Sequence, residues 1–229
     1  MRGLGRRARL RLKSQEGQDE MNADLDGAMR YALDRLQNAM PAGLIYHDVR
    51  HTRDVVVPAT AEIARAEGVT GEDLLLLLTA AWFHDLGYAE TRAGHEAVSA
   101  RLAAEVLPGF GYSPAQVSRV LALILSTEIA RSPQDLLGMI LVDADLDGLG
   151  SADFPDWSDR LRHEMAAYGQ IFTDRQWVVR QCDFLARHLY FTPSARARRA
   201  AGIAKNLQGL TDWLNGLEVP GGSSTTPTK

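Results

Sequence analysis

Apolar residues recur at spacings of three and four from about residue 22 to residue 217, whereas the strict alternation typical of strands is rare. Glycine and proline residues interrupt this pattern at intervals that suit helix boundaries. The pattern therefore predicts an all-α chain. We expect nine helices, over residues 22–38, 48–67, 72–86, 94–106, 114–126, 133–146, 156–169, 174–189 and 194–217.

The third predicted helix is apolar on every side, because only Thr79 interrupts the apolar run over residues 74–83. Such a helix belongs in the middle of a bundle. The run leads directly into His84 and Asp85, with Gly87 where a left-handed residue would end the helix. Burying ionisable groups without partners is unfavourable, and a cation would suit both of these side chains.

Composition and charge exclude several classes of protein. The chain of 229 residues, 45% hydrophobic and 24% charged, fits one helical domain over residues 21–218, and no apolar run is long enough to cross a bilayer. Cys182 is the only cysteine, which favours a reducing compartment, and we expect the cytoplasm.

Charge is distributed unevenly along the chain. Six of the first thirteen residues are basic although the formal net charge is −4, so the remainder is acidic and is a poor partner for nucleic acid. We expect residues 1–20 to form a disordered basic leader. The tail over residues 219–229 is rich in Gly, Ser, Thr and Pro, and we expect it to be disordered as well.

Three segments carry candidate metal ligands. They are Tyr46-His47-Asp48-Val49-Arg50-His51-Thr52, Phe83-His84-Asp85-Leu86-Gly87-Tyr88 and Leu141-Val142-Asp143-Ala144-Asp145-Leu146. A single His-Asp pair arises readily by chance, so the weight lies in the three segments together. This set resembles the HD superfamily of metal-dependent phosphohydrolases.

The resemblance implies a helical bundle, an HD-type domain, in which one histidine, the His-Asp doublet and a distant aspartate hold a divalent metal ion. Here these residues would be His51, His84, Asp85 and Asp145, with Asp85 also contributing to catalysis. The leading histidine, His47, would point at the substrate as the proton donor. The implied activity is hydrolysis of a phosphate mono- or diester of a nucleotide or another small metabolite.

The residue types agree with this chemistry. Two neutral imidazoles and two carboxylates suit Mn, Fe, Co, Ni, Zn or Mg and leave positions open for water and a phosphoryl oxygen. A divalent ion lowers the pKa of bound water from about 15.7 towards about 7, so hydroxide can attack phosphorus. Protonated His47 would then serve as general acid. Because His47 and His51 are four residues apart, a helix would place both on one face, with Cβ atoms about 5 to 6 Å apart.

Two further residues are candidates for phosphate or second-metal binding. A histidine at the place of His95 binds a second metal in some HD families, but those families carry another histidine where this chain has Thr127. His95 is therefore either such a ligand or a solvent-facing helix start. Arg50 either binds a phosphate oxygen or is a surface arginine. Asp54 shares the predicted face of His51 and is either a carboxylate that orients it or an exposed residue.

Two other functions stay open. An HD-type diiron oxygenase would need the fuller histidine set, and Thr127 argues against it. A regulatory module that binds nucleotide and metal without turnover is the other, although the intact ligand set argues against an inactive site.

Asp143 falls on another helical face from Asp145 and is interpreted as structural. We expect a small-molecule phosphate ester as partner and no membrane association.

Overall fold

A computed structural model describes residues 23–129 and 131–218, so the leader expected at 1–20 and the tail expected at 219–229 lie outside the described residues. Within the described residues the chain forms nine α-helices and no strand, which confirms the predicted all-α class. The helices are α1 (Leu25–Asn38), α2 (Val57–Ala66), α3 (Gly71–Phe83), α4 (His95–Val106), α5 (Pro114–Leu125), α6 (Leu136–Asp145), α7 (Phe154–Ala167), α8 (Asp174–Arg187) and α9 (Pro193–Glu218).

Four tighter or wider helical turns adjoin these helices. A π-helical turn over His51–Val56 runs directly into α2, and 3-10 turns over Leu86–Ala89, Leu107–Phe110 and Asp147–Gly150 follow α3, α4 and α6. In the described part of the chain, no helix combines the length and apolarity that crossing a bilayer would require.

Helix α3 lies at the centre of the bundle, where it packs against α1, α2, α5 and α6. Its second half is almost wholly buried, and Leu77, Ala80, Ala81 and Phe83 have no exposed surface. The apolar run therefore predicts the position of the helix correctly. Because α3 ends at Phe83, it delivers His84 and Asp85 to the interior of the bundle.

The role expected for Gly87 is wrong, because the positive φ angles of the described glycines occur elsewhere and the chain continues as a 3-10 turn. The first turn of α4 lies directly against this residue. The Gly87 amide donates to Ser99 Oγ at 2.8 Å, and a Cβ at position 87 would overlap the carbonyl oxygen of His95. Glycine is thus required here for close backbone approach.

We expect Gly87→Ala to lower the free energy of unfolding by about 2 kcal/mol, because backbone atoms of α4 must shift to admit the methyl group. Thermal denaturation should show a midpoint lower by about 5 °C. Gly148→Ala is the matched control, since nothing lies within 4 Å of a Cβ at that position. Equal midpoints for the two variants would contradict the close approach of α4.

Asp143 fixes the start of α9. Its Oδ1 accepts from the Phe191 amide at 2.8 Å, and its Oδ2 accepts from the amide and the hydroxyl of Thr192 at 2.8 and 2.7 Å. The side chain is fully buried. These contacts agree with the interpretation of Asp143 as a structural residue.

Candidate metal centre

Four side chains from distant parts of the chain form one cluster. His51 Nε2 lies 3.0 Å from Asp145 Oδ1 and 3.7 Å from Asp85 Oδ2. His84 Nε2 lies 3.4 Å from Asp145 Oδ1 and 3.3 Å from Asp85 Oδ2. The ligand atoms of His51, His84 and Asp145 all lie within 4.8 Å of one another. The structure thus brings together all four residues that the sequence proposes as metal ligands.

Each member of the cluster lies at the end of a helical segment. His51 begins the π-helical turn, His84 and Asp85 follow α3, and Asp145 is the last residue of α6. In the π-helical turn the Val57 amide donates to the carbonyl of Thr52, five residues earlier. Such wide turns often occur at functional sites because they alter the direction of one side chain without ending the helix.

The hydrogen bonds of His84 fix which ring nitrogen is available. Its Nδ1 donates to the carbonyl of Ala81 at 2.9 Å, so Nε2 is the ring nitrogen that faces the carboxylates. His84 Nε2 and Asp85 Oδ2 are both buried and have no hydrogen-bond partner among the described residues. Two such atoms at 3.3 Å fit a cation placed between them.

The charges of the cluster agree with this arrangement. Burial alone would raise the pKa of the Asp85 carboxyl, but His84 and His95 hold it well below its usual range. Burial would likewise raise the pKa of the Asp145 carboxyl, but hydrogen bonds from His51 and His84 lower it. Burial would lower the pKa of His84, whereas Asp85 and Asp145 raise it well above its usual value. Two ionised carboxylates therefore create a negative field at the centre of the cluster.

His47 does not share a helical face with His51, contrary to the sequence prediction. The helix begins only at Val49, and Asp48 Oδ1 accepts from the Arg50 amide at 2.8 Å at its start. His47 therefore precedes the helix. Its ring nevertheless lies 5.8 Å from that of His51, centroid to centroid, so the two imidazoles remain neighbours.

Glu164 of α7 holds His47 in place and was not found from the sequence. Its Oε1 lies 2.6 Å from His47 Nδ1, and its Oε2 accepts from the amides of Tyr46 and His47 at 2.8 and 3.0 Å. The side chain has no exposed surface. Burial would raise the pKa of Glu164, but the hydrogen bond from His47 lowers it. The sequence offered one signal for this residue, because Glu164 is next to the apolar Met165, and both are buried in α7.

His95 lies against the cluster and not in solvent. It is the first residue of α4, and its Nε2 lies 3.4 Å from Asp85 Oδ1. Its ring stacks on Tyr88 at 3.8 Å, and the Tyr88 ring stacks on His47 at 4.3 Å. Tyr88 Oη is 3.2 Å from His47 Nε2. Thr127, where further histidines stand in some HD families, donates its hydroxyl to the Ile124 carbonyl.

Arg50 and Asp54 lie at the surface, which was one of the two alternatives for each of them. The Arg50 guanidinium donates from Nε and Nη2 to Asp48 Oδ2 at 2.8 and 2.5 Å, and its side chain is 43% exposed. Asp54 accepts from Arg53 and not from His51, and its side chain is 47% exposed. Sequence neighbours therefore satisfy both groups at the surface.

The family model of the HD domain matches residues 49–146, which include all four clustered residues. The chain therefore carries an HD domain over these residues. The match begins after His47 and ends before Glu164, so the pairing of these two residues lies outside it. A search of the curated proteins finds no match to this HD-domain protein.

Three solved structures are similar to the HD-domain protein in fold. A predicted HD superfamily hydrolase from an uncultured Thermotogales bacterium has 23% identity and a TM-score of 0.56, over 82% of this chain and 92% of that chain. A protein from Lactobacillus plantarum has 18% identity and a TM-score of 0.57, over 84% and 97%. YpgQ of Bacillus subtilis, solved in complex with ADP, has 20% identity and a TM-score of 0.55, over 85% and 98%. At these identities the likeness concerns the fold alone.

Proposed function

We propose that this HD-domain protein is a metal-dependent phosphohydrolase that acts on a phosphate mono- or diester of a nucleotide or another small metabolite. The observation that carries the proposal is that two buried atoms, His84 Nε2 and Asp85 Oδ2, have no hydrogen-bond partner among the described residues and face His51 and Asp145. The description of one structural neighbour as a hydrolase and the ADP bound to another support the reaction class and a nucleotide-sized ligand.

The four clustered residues would hold the ion, with two imidazole nitrogens and two carboxylate oxygens. This donor set suits Mn, Fe, Co, Ni, Zn or Mg. When bound, a divalent ion polarises a phosphoryl oxygen and makes hydroxide available near neutral pH. His95 lies beside Asp85, where it would contact a second ion or a phosphoryl oxygen.

His47 is proposed as the general acid. Its Nδ1 is directed at Glu164, so the second nitrogen, Nε2, remains for proton transfer and lies near Tyr88 Oη in the absence of substrate. Glu164 acts as a positioning residue, because it binds both the ring and the backbone of His47. The buried carboxylate also offsets the charge of a protonated imidazole.

We expect Glu164→Gln to reduce kcat about tenfold or more while metal content stays unchanged, because protonated His47 loses its counter-charge. The KM should change little, because Glu164 contacts His47 and not the four clustered ligands. Measurements of kcat, KM and metal content on the same preparation test this. Glu105→Gln, at a side chain that is 56% exposed, is the control, and a wild-type kcat in the Glu164 variant would refute the positioning role.

The proposed activity is tested by determining the metal content of the purified protein and then phosphate release from a panel of nucleotides with each metal restored. Phosphate release that depends on one of these metals supports the proposal. Iron with oxygen uptake and no phosphate release would contradict it in favour of a diiron oxygenase. Stoichiometric nucleotide binding without product would contradict it in favour of a regulatory module.

A further inference from the structure

Arg92 lies beside the candidate metal centre in the segment that joins the 3-10 turn over Leu86–Ala89 to α4. Its carbonyl accepts from His95 Nδ1 at 3.2 Å, which ties this segment to the ring that lies against the cluster. Its Cζ lies 4.3 Å from the centroid of the Tyr168 ring, just beyond the end of α7. Its Nη2 lies 3.8 Å from Glu164 Oε1. Arg92 therefore joins the wall formed by α4 to that formed by α7.

The guanidinium of Arg92 has unused hydrogen-bond donors. Its Nε is buried and has no acceptor among the described residues, and the distance of 3.8 Å to Glu164 is too long for a hydrogen bond. The side chain is only 26% exposed. Other arginines on this side of the molecule donate to neighbouring carboxylates, namely Arg50 to Asp48, Arg160 to Asp156 and Arg162 to Asp174.

Glu164 does not account for these free donors. Its two oxygens already receive the Tyr46 amide, the His47 amide and His47 Nδ1 at 2.6 to 3.0 Å. Arg92 therefore lies near a carboxylate whose hydrogen bonds are directed elsewhere. A partly buried guanidinium that is stacked on an aromatic ring and has free N–H groups is suited to two oxygens of an anion.

The position of Arg92 relative to His47 indicates where an anion bound to Arg92 would lie. The same atom, Glu164 Oε1, contacts His47 Nδ1 and lies nearest to Arg92 Nη2. An anion on Arg92 would thus lie next to the proposed general acid but at a separate point from the four clustered ligands.

We propose that Arg92 is an oxyanion-binding residue that takes a phosphoryl oxygen of the ligand, and that Tyr168 supports its guanidinium by stacking. Arg50, the sequence candidate for this role, donates to Asp48. The inference rests on the proposed function for the nature of the ligand, but binding tests it without turnover.

The test is calorimetric titration of the metal-loaded protein with ADP and with inorganic phosphate, for wild type, Arg92→Gln, Arg92→Lys and Arg53→Gln. Arg53 is the matched control, because it is exposed and its partner among the described residues is Asp54. We expect Arg92→Gln to weaken the binding of both ligands about tenfold or more. Arg92→Lys should recover part of the affinity, because it keeps the charge but loses the two-pronged geometry. Arg53→Gln should bind as wild type does.

Tyr168→Leu gives an independent check that leaves every charge in place. It removes the ring beneath the guanidinium, and we expect a several-fold weaker affinity for ADP. Wild-type affinity in both Arg92→Gln and Tyr168→Leu would overturn the proposal, and so would wild-type protein that binds neither ligand at millimolar concentration. Binding that depends on Arg92 without any phosphate release would uphold the anion site and contradict the proposed hydrolysis.

Discussion

The Asp85→Ala variant is expected to lose its bound metal and at least a thousandfold of its activity, because one of the four ligands disappears and the charge of the cluster changes by one unit. Asp85 Oδ2 lies within 3.3 Å of His84 Nε2 and 3.7 Å of His51 Nε2, so no other described carboxylate replaces it without rearrangement of the cluster. Elemental analysis of the dialysed protein measures the metal directly.

A second measurement on Asp85→Ala does not depend on activity. Metal at a hundred times its dissociation constant stabilises a protein by about 2.7 kcal/mol, which corresponds to a rise of about 5 to 10 °C in the unfolding midpoint of a chain of this size. We expect this rise for wild type and for the control Asp54→Ala, and none for Asp85→Ala. If Asp85→Ala retained one ion per chain and the same thermal response, the proposed ligand set would be wrong.

The His47→Ala variant is expected to keep the metal and lose a factor of about 10² to 10⁴ in kcat, which is the usual contribution of a general acid. His47 hydrogen-bonds to Glu164 and Tyr88, and none of its ring contacts is with a carboxylate of the cluster. Its removal should therefore leave the four ligands in place. Measurements of kcat and of metal content on the same preparation separate the two effects.

The choice of substrate sharpens the test of His47. An ester whose leaving group is a weak base needs little protonation, so His47→Ala should slow its hydrolysis much less than that of an alkyl ester. His163→Ala is the matched control, since the His163 side chain is 63% exposed. Loss of the metal in His47→Ala, or equal slowing of both esters, would show that His47 is not the general acid.

Local patterns in the sequence account for most of the fold. The three-and-four spacing of apolar residues identifies all nine helices within the described residues, and the apolar run of α3 predicts its central position. Boundaries shift where specific side chains decide them. Helix α6 begins at Leu136, later than predicted, because Asp135 accepts from the Gly138 amide and caps it. The helix that carries His51 begins after His47, because Asp48 binds the amide of Arg50.

The candidate site was predictable where it depends on a motif and unpredictable where it depends on packing. His51, His84, Asp85 and Asp145 fall within recognisable segments, and the structure places them together. Glu164 reaches its partner His47 across 117 positions and belongs to no motif. The spacing of Arg50 left both a phosphate contact and a surface position open, because an isolated pattern does not reveal that Asp48, two residues earlier, accepts hydrogen bonds from its guanidinium.

The last turn of α6 contacts two separate parts of the structure, the start of α9 and the histidines of the cluster. Residues 143 and 145 are about 200° apart around the helix axis. Asp143 therefore accepts hydrogen bonds from the backbone at the start of α9, while Asp145 faces the imidazoles of His51 and His84. Any sliding or rotation of this turn would disturb both attachments together. The attachment of α9 to Asp143 therefore helps to keep Asp145 directed at the candidate metal centre, although the side chains of the cluster come from other elements.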